Sequence, residues 1–237
     1  MLASLQTVSN QAHQELRWME QHIKKMKLSP DSLDSMVQQR LQNKPIQYIL
    51  GDVPFGPLNI KVRQPVLIPR AETEFWTNQL IDTIKTKFSP TLSRRPLNIL
   101  DIAACMPSSS VNIVGVDLNR DAVQLSTENL QSADTLIHNH VSFVCDDVLE
   151  QEFPSKEGGE GRVEQSVLRY EDPLALIGTG LGPHREGDEA IDDGLDFYRR
   201  ISRIRRDLVH REHLVALEVG EHQADKYKSE RAVVYTE

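Results

Sequence analysis

Three aspartates fall at or just past the ends of short apolar runs. Asp101 closes Leu97–Asp101, Asp117 closes Val111–Asp117, and Asp147 follows Val141–Cys145 beside Asp146. A carboxylate at the tip of a parallel strand can accept both hydroxyls of a ribose, which is how doubly wound folds hold nucleoside cofactors. Each acid taken alone reads as a helix cap or a surface turn. Three at successive strand ends read as a site. A second constellation lies upstream, in Val66-Leu67-Ile68-Pro69-Arg70-Ala71-Glu72-Thr73-Glu74. Val66 to Ile68 predicts a short strand, which Pro69 stops because it has no N–H to donate. Arg70 is then held at the mouth of a turn. Glu72 and Glu74 fall in the first turn of a following helix, where acids suit the helix dipole. Such a corner either holds a substrate or simply carries solvated charges.

The elements that must position these residues are legible as periodicities. Residues 1–44 predict a small helical domain. Its first stripe is Ala12, Leu16, Met19, Ile23 and Met26. Ser29 and Pro30 read as the cap and first position of a second helix, with Leu33, Met36, Val37 and Leu41 as its stripe. Residues 45–65 predict two strands around a turn from Gly51 to Pro57, with Leu58, Ile60 and Val62 on one face. Residues 66–237 predict an α/β domain. Trp76, Leu80, Ile84 and Phe88 mark its first helix, and Asn119 caps a helix to Ser132. A later helix spans 194–208, a strand spans 214–220, and a closing strand spans 231–235. Residues 154–164 have loop composition. Strands alternating with helices imply a doubly wound sheet with ligands at its carboxyl ends.

The Val66–Glu74 stretch resembles the I-P-R-P-E-T-E signature of the glutamine-N5 methyltransferases that modify peptide chain release factors. Arg40, Pro45, Tyr48 and Gly51 resemble that family's upstream R-x-x-x-x-P-x-x-Y-x-x-G. Glu171-Asp172-Pro173-Leu174-Ala175-Leu176-Ile177-Gly178 is similar to its E-P-x-x-A-L-x-G, Gly194-Leu195 to its G-L-x-x-Y, and Leu217-Glu218-Val219-Gly220 to its L-E-x-G-x-x-Q. The resemblance implies a Rossmann-like class I methyltransferase sheet, here incomplete, preceded by a β-hairpin and the helical domain. It implies S-adenosylmethionine as cofactor, held by Asp101, Asp117 and Asp147, the last near the adenine amine. It further implies a release factor as partner, met through Pro69, Arg70 and Glu72, with the glutamine of a Gly-Gly-Gln loop as methyl acceptor.

The chain also departs from that pattern. Ala71 stands where the signature has its second proline. No glycine occurs between Asp101 and Gly115, where a cofactor site of this kind needs a glycine turn for close backbone approach. That connection is shorter than the ten to twelve residues or more of a parallel crossover with its helix, and it contains Pro107. One covering helix should therefore be missing. The catalytic Asn-Pro-Pro-Tyr of the family occurs nowhere, so no catalytic residue carries over. Only a short segment, Asp225 to Glu230, precedes the closing strand, where the family has a further helix and strand. The expectation is a methyltransferase by lineage with impaired transfer. Two alternatives stand beside it: an inactive truncated form or partner-binding remnant, and an adenine-N6 nucleic-acid methyltransferase, which shares the tetrapeptide chemistry.

Composition narrows the classes. With 237 residues, 39% hydrophobic and 26% charged, the chain suits one α/β domain and a small appendage. A net charge of −8 opposes broad binding to nucleic-acid backbone. Arg199, Arg200, Arg203, Arg205 and Arg206 read as a solvated helix face. Cys105 and Cys145 are the only cysteines, which argues against a disulfide framework and for a reducing compartment. The pairs His138/His140 and His210/His213 lack the partners of a closed metal site, so no metal is expected. No run suits a membrane span, and the first residues resemble neither a secretory leader nor an Arg-rich presequence. A mitochondrial or cytoplasmic location is expected, with the family resemblance favouring the former.

Overall fold

The computed structural model describes residues 2–92, 97–102, 111–133, 140–146, 169–172, 201, 214–218 and 232–236, and their structure is mixed α/β. Contacts divide the chain into two units. One runs to Ile68 and takes in Arg169 to Glu171; the other runs from Pro69 and takes in Asp172 onward.

The first unit opens with α1 (Leu2–Met26) and α2 (Ser32–Leu41). Helix α2 starts after the expected Ser29–Pro30. There the Ser32 N–H donates to the Ser29 carbonyl at 2.9 Å, so those residues close a turn. The inner face of α1 is also rotated from the expected stripe. Met19 is buried with Ile23 packed against it, while Leu16 and Met26 are exposed and Glu15 lies inside. The cause is Arg40 of α2, whose Nε and Nη2 donate to the two Glu15 oxygens at 2.7 and 3.1 Å. A carboxylate that receives two charge-assisted bonds can enter an apolar contact that an unpaired one cannot. Those bonds hold the Glu15 carboxyl below its usual range.

Residues 46–50, expected as a strand, form a short helix, α3 (Ile46–Leu50). Buried Ile46 and Tyr48 mimic strand alternation, but they serve different cores. Ile46, Ile49 and Leu50 join Met19 and Met36, whereas Tyr48 joins Val62 and Ile68. Gly51 ends α3 at φ 80°, a left-handed position that glycine adopts without a Cβ penalty, and its N–H reaches the Gln47 carbonyl. Strands β1 (Asp52–Phe55) and β2 (Leu58–Lys61) then pair antiparallel across Gly56-Pro57.

Val66–Ile68 is not a strand. Side chains take the backbone bonds that a neighbouring strand would have taken. The Tyr48 hydroxyl donates to the Val66 carbonyl, and the Ile68 N–H donates to Glu171 Oε2 at 3.0 Å.

The second unit contains α4 (Ala71–Leu92), β3 (Leu97–Ile102), β4 (Val111–Asp117), α5 (Arg120–Ser132), β5 (His140–Cys145), β6 (Leu214–Glu218) and β7 (Ala232–Thr236). Strands β3, β4 and β5 form a parallel sheet in that order. Helix α5 packs on β4 and β5, with Leu125 and Ile113 buried. The opposite row keeps Val114 37% and Val144 42% exposed, diagonal neighbours on one face by strand alternation. Strands β6 and β7 pair antiparallel in a separate sheet. Of the expected 194–208 helix only Ile201 is described, helical and buried. The glycine-free connection 103–110, the loop 154–164 and Asp147 lie outside the described residues.

Candidate nucleoside site

Asp117 ends β4 at the carboxyl edge of the parallel sheet. Its neighbour in the chain, Leu118, leads into Asn119, the cap of α5. The Asn119 N–H donates to Asp117 Oδ1 at 2.7 Å. The side chain of Asn119 is engaged at both ends. Its Oδ1 accepts the Asp121 N–H at 2.8 Å, and its Nδ2 donates to Asp172 Oδ2 at 2.7 Å. No flipped amide could serve both partners, because one is a donor and the other a carboxylate. Among the described residues, Asp117 Oδ2 has no hydrogen-bond partner.

Burial pushes the Asp117 carboxyl above its usual range. The Asn119 N–H draws it back, and the nearby Asp172 charge adds to the rise. On β5, Cys145 pairs with Asp117, and the Asp146 N–H reaches the Asp117 carbonyl at 3.2 Å. On β3, Asp101 stands in register with Gly115, two residues before Asp117, so both aspartates lie toward the same end of the sheet.

The other expected residues sit at the start of α4. Pro69 and Arg70 are half-buried just before the helix, and Glu72 is exposed in its first turn. Thr73, one residue further, donates from Oγ1 to the Glu218 carboxylate of β6, at 3.0 and 3.1 Å from its two oxygens. Two stretches that resemble family signatures, 145 residues apart, are thus joined by one hydroxyl. Sequence reasoning had marked both stretches and missed the bond between them. It had also passed over Asp172, which lies between the residues that the E-P pattern sets side by side. Among the described residues, no group of three His, Cys, Asp or Glu could hold a metal ion, and no helix is long and apolar enough to cross a membrane.

Asp117 thus ends a parallel strand with one carboxylate oxygen bonded to the turn that follows it. The known proteins that the chain resembles in sequence are named as methyltransferases. No family model matches the chain. A release factor glutamine methyltransferase of Thermodesulfovibrio yellowstonii is 28% identical over 211 residues, covering 81% of this chain and 70% of its own length. A probable mitochondrial N(5)-glutamine methyltransferase of Schizosaccharomyces pombe is 29% identical over 232 residues, covering 81% and 69%. A mitochondrial N(5)-glutamine methyltransferase of Saccharomyces cerevisiae is 32% identical over 198 residues, covering 71% and 59%. The chain is a homologue of the release factor glutamine methyltransferases, related to them over about four fifths of its length. It spans 54% to 71% of the length of such relatives.

Proposed function

We propose that the chain is a release-factor methyltransferase by descent. S-adenosylmethionine is the donor, and the side-chain amide of the glutamine in a Gly-Gly-Gln loop is the acceptor. The fold behind this reading is a Rossmann-like class I sheet, with residues 1–44 as the substrate-binding helices, 45–65 as a linking hairpin and 66–237 as the catalytic domain. Asp117 carries the reading. It ends a parallel strand, and its second oxygen would accept a ribose hydroxyl. Asp101 and Asp147 would complete the nucleoside end, and Pro69, Arg70 and Glu72 would hold the release factor. When bound, the cofactor supplies a methyl group made electrophilic by its sulfonium. Asp117 itself would bind and orient.

In this reading transfer is slow. The Asn-Pro-Pro-Tyr that would grip the target amide is absent, and so is a glycine turn after Asp101. The Schizosaccharomyces match supports internal omissions. It aligns 232 positions against 81% of a 237-residue chain, which is fewer residues than positions, so gaps fall in this chain. Loss of one positioning group costs on the order of a hundredfold. A net charge of −8 disfavours the nucleic-acid alternative. The names of the yeast relatives favour a mitochondrial location over a cytoplasmic one.

The test is transfer of a labelled methyl group to a release factor, measured beside an intact relative. The expected rate is at least a hundredfold lower, with S-adenosylhomocysteine still bound. A rate within tenfold of the relative would show that the missing blocks are dispensable. Absence of both transfer and binding would leave the partner-binding remnant as the better reading.

A further inference from the structure

Asp172 is joined to Asp117 through a single residue. Asn119 gives its backbone N–H to Asp117 Oδ1 and its side-chain amide to Asp172 Oδ2, both at 2.7 Å. The same amide caps α5 through Oδ1. The orientation of the β4–α5 turn therefore depends on an acid 53 residues further along the chain. We propose that Asp172 is a positioning residue for the nucleoside site, fixing through Asn119 the turn that aims the Asp117 carboxylate at the hydroxyls of a ribose.

This inference rests on the nucleoside reading of Asp117. A carboxylate accepts two vicinal hydroxyls well only if its plane is fixed. Asp117 is fixed at one oxygen by an N–H whose own direction is set by the turn. With Asp172 in place, the Asn119 amide has a partner at each end and the turn has one arrangement. Without it, the Nδ2 group must find water or rotate, and the N–H aimed at Asp117 is less well held. A freed turn is expected to weaken hydroxyl binding about threefold to tenfold, the equivalent of one modest hydrogen bond.

Asp172 also acts through its charge. It stands near Asp117, and two like charges disfavour joint ionisation. Among the described residues, the other ionisable groups on the elements next to Asp117 are Asp146 and Cys145 at the end of β5 and Arg120 and Asp121 in the first turn of α5. Among the described carboxylates, Asp172 is the one that accepts from the Asn119 amide.

The two actions separate by substitution. Asp172→Asn keeps an acceptor for Asn119 and removes the charge. Asp172→Ala removes both. Asn119→Ser keeps a cap for α5 and loses the reach to Asp172. The experiment uses residues 1–237 intact. The Asp117 carboxyl is titrated by carbon NMR without ligand, and S-adenosylhomocysteine binding is measured by calorimetry at neutral pH. Asp172→Asn is expected to lower the Asp117 midpoint and leave affinity within about twofold. Asp172→Ala and Asn119→Ser are each expected to weaken binding threefold to tenfold. A midpoint unmoved in Asp172→Asn, or binding unmoved in both other variants, overturns the proposal. If the midpoint moves but the unsubstituted chain binds no S-adenosylhomocysteine, the link between the two acids stands and the nucleoside reading fails.

Discussion

At Asp117 the demands of folding and of the proposed ribose contact oppose each other. Burial raises its carboxyl above the usual range, chiefly by desolvation, so the folded chain holds that proton more tightly than the unfolded chain does. The sign follows. The charged form costs stability at neutral pH, and the cost disappears as pH falls below the ordinary carboxyl value of 3.8. A ribose needs the charged form. Asp117→Asn keeps an acceptor for the Asn119 N–H and removes the buried charge. It is expected to stabilise the chain at pH 7, with the gain shrinking toward pH 4. It should also abolish S-adenosylhomocysteine binding. Urea denaturation at the two pH values and calorimetry check this, and a destabilised variant or undiminished affinity would contradict it.

The first turn of helix α4 is tied to β6 by a hydroxyl, since Thr73 donates to Glu218. Thr73→Val keeps the shape and removes the donor. It is expected to cost about 1.5 to 3 kcal/mol, the range for a bond to a charged acceptor, with Thr73→Ser restoring most of it. Equal stability of the Val and Ser variants in urea would show that the hydroxyl does not matter. The sequence made α4, β4 and α5 legible because each carries its own period and its own punctuation: acids in the first turn of α4, Asn119 at the cap of α5. It misled at α3 and at Val66–Ile68. The alternation of Ile46 and Tyr48 comes from a helix that feeds two cores, and Ile68 is satisfied by a side chain rather than a strand. Glu15 was invisible because its burial depends on Arg40, 25 residues away, and Asp172 because its partner is Asn119. Local pattern does not encode such pairings.

For the molecule as a whole, one face of β4 and β5 keeps Val114 and Val144 exposed, while Val116 on the same face is buried. Two exposed β-branched apolar side chains at diagonal positions, with Leu118 exposed nearby in the chain, make a surface that favours self-association. Replacing both valines by threonine preserves strand preference and shape. The double variant is expected to show less association in sedimentation at raised concentration, with an unchanged circular dichroism spectrum. Equal association of the two proteins would mean the contact lies elsewhere.

The bond from Ile68 to Glu171 also has a consequence in time. Its acceptor is made 103 residues after its donor. At ordinary elongation rates that is a wait of roughly 5 to 20 seconds. A growing chain halted before Glu171 therefore presents Val66–Ile68 with its Ile68 amide still hydrated. The lead-in to the Pro69–Arg70 corner is set late, by a residue that has only just left the ribosome, and the first sixty-eight residues cannot finish their own unit before the chain has nearly doubled back to them.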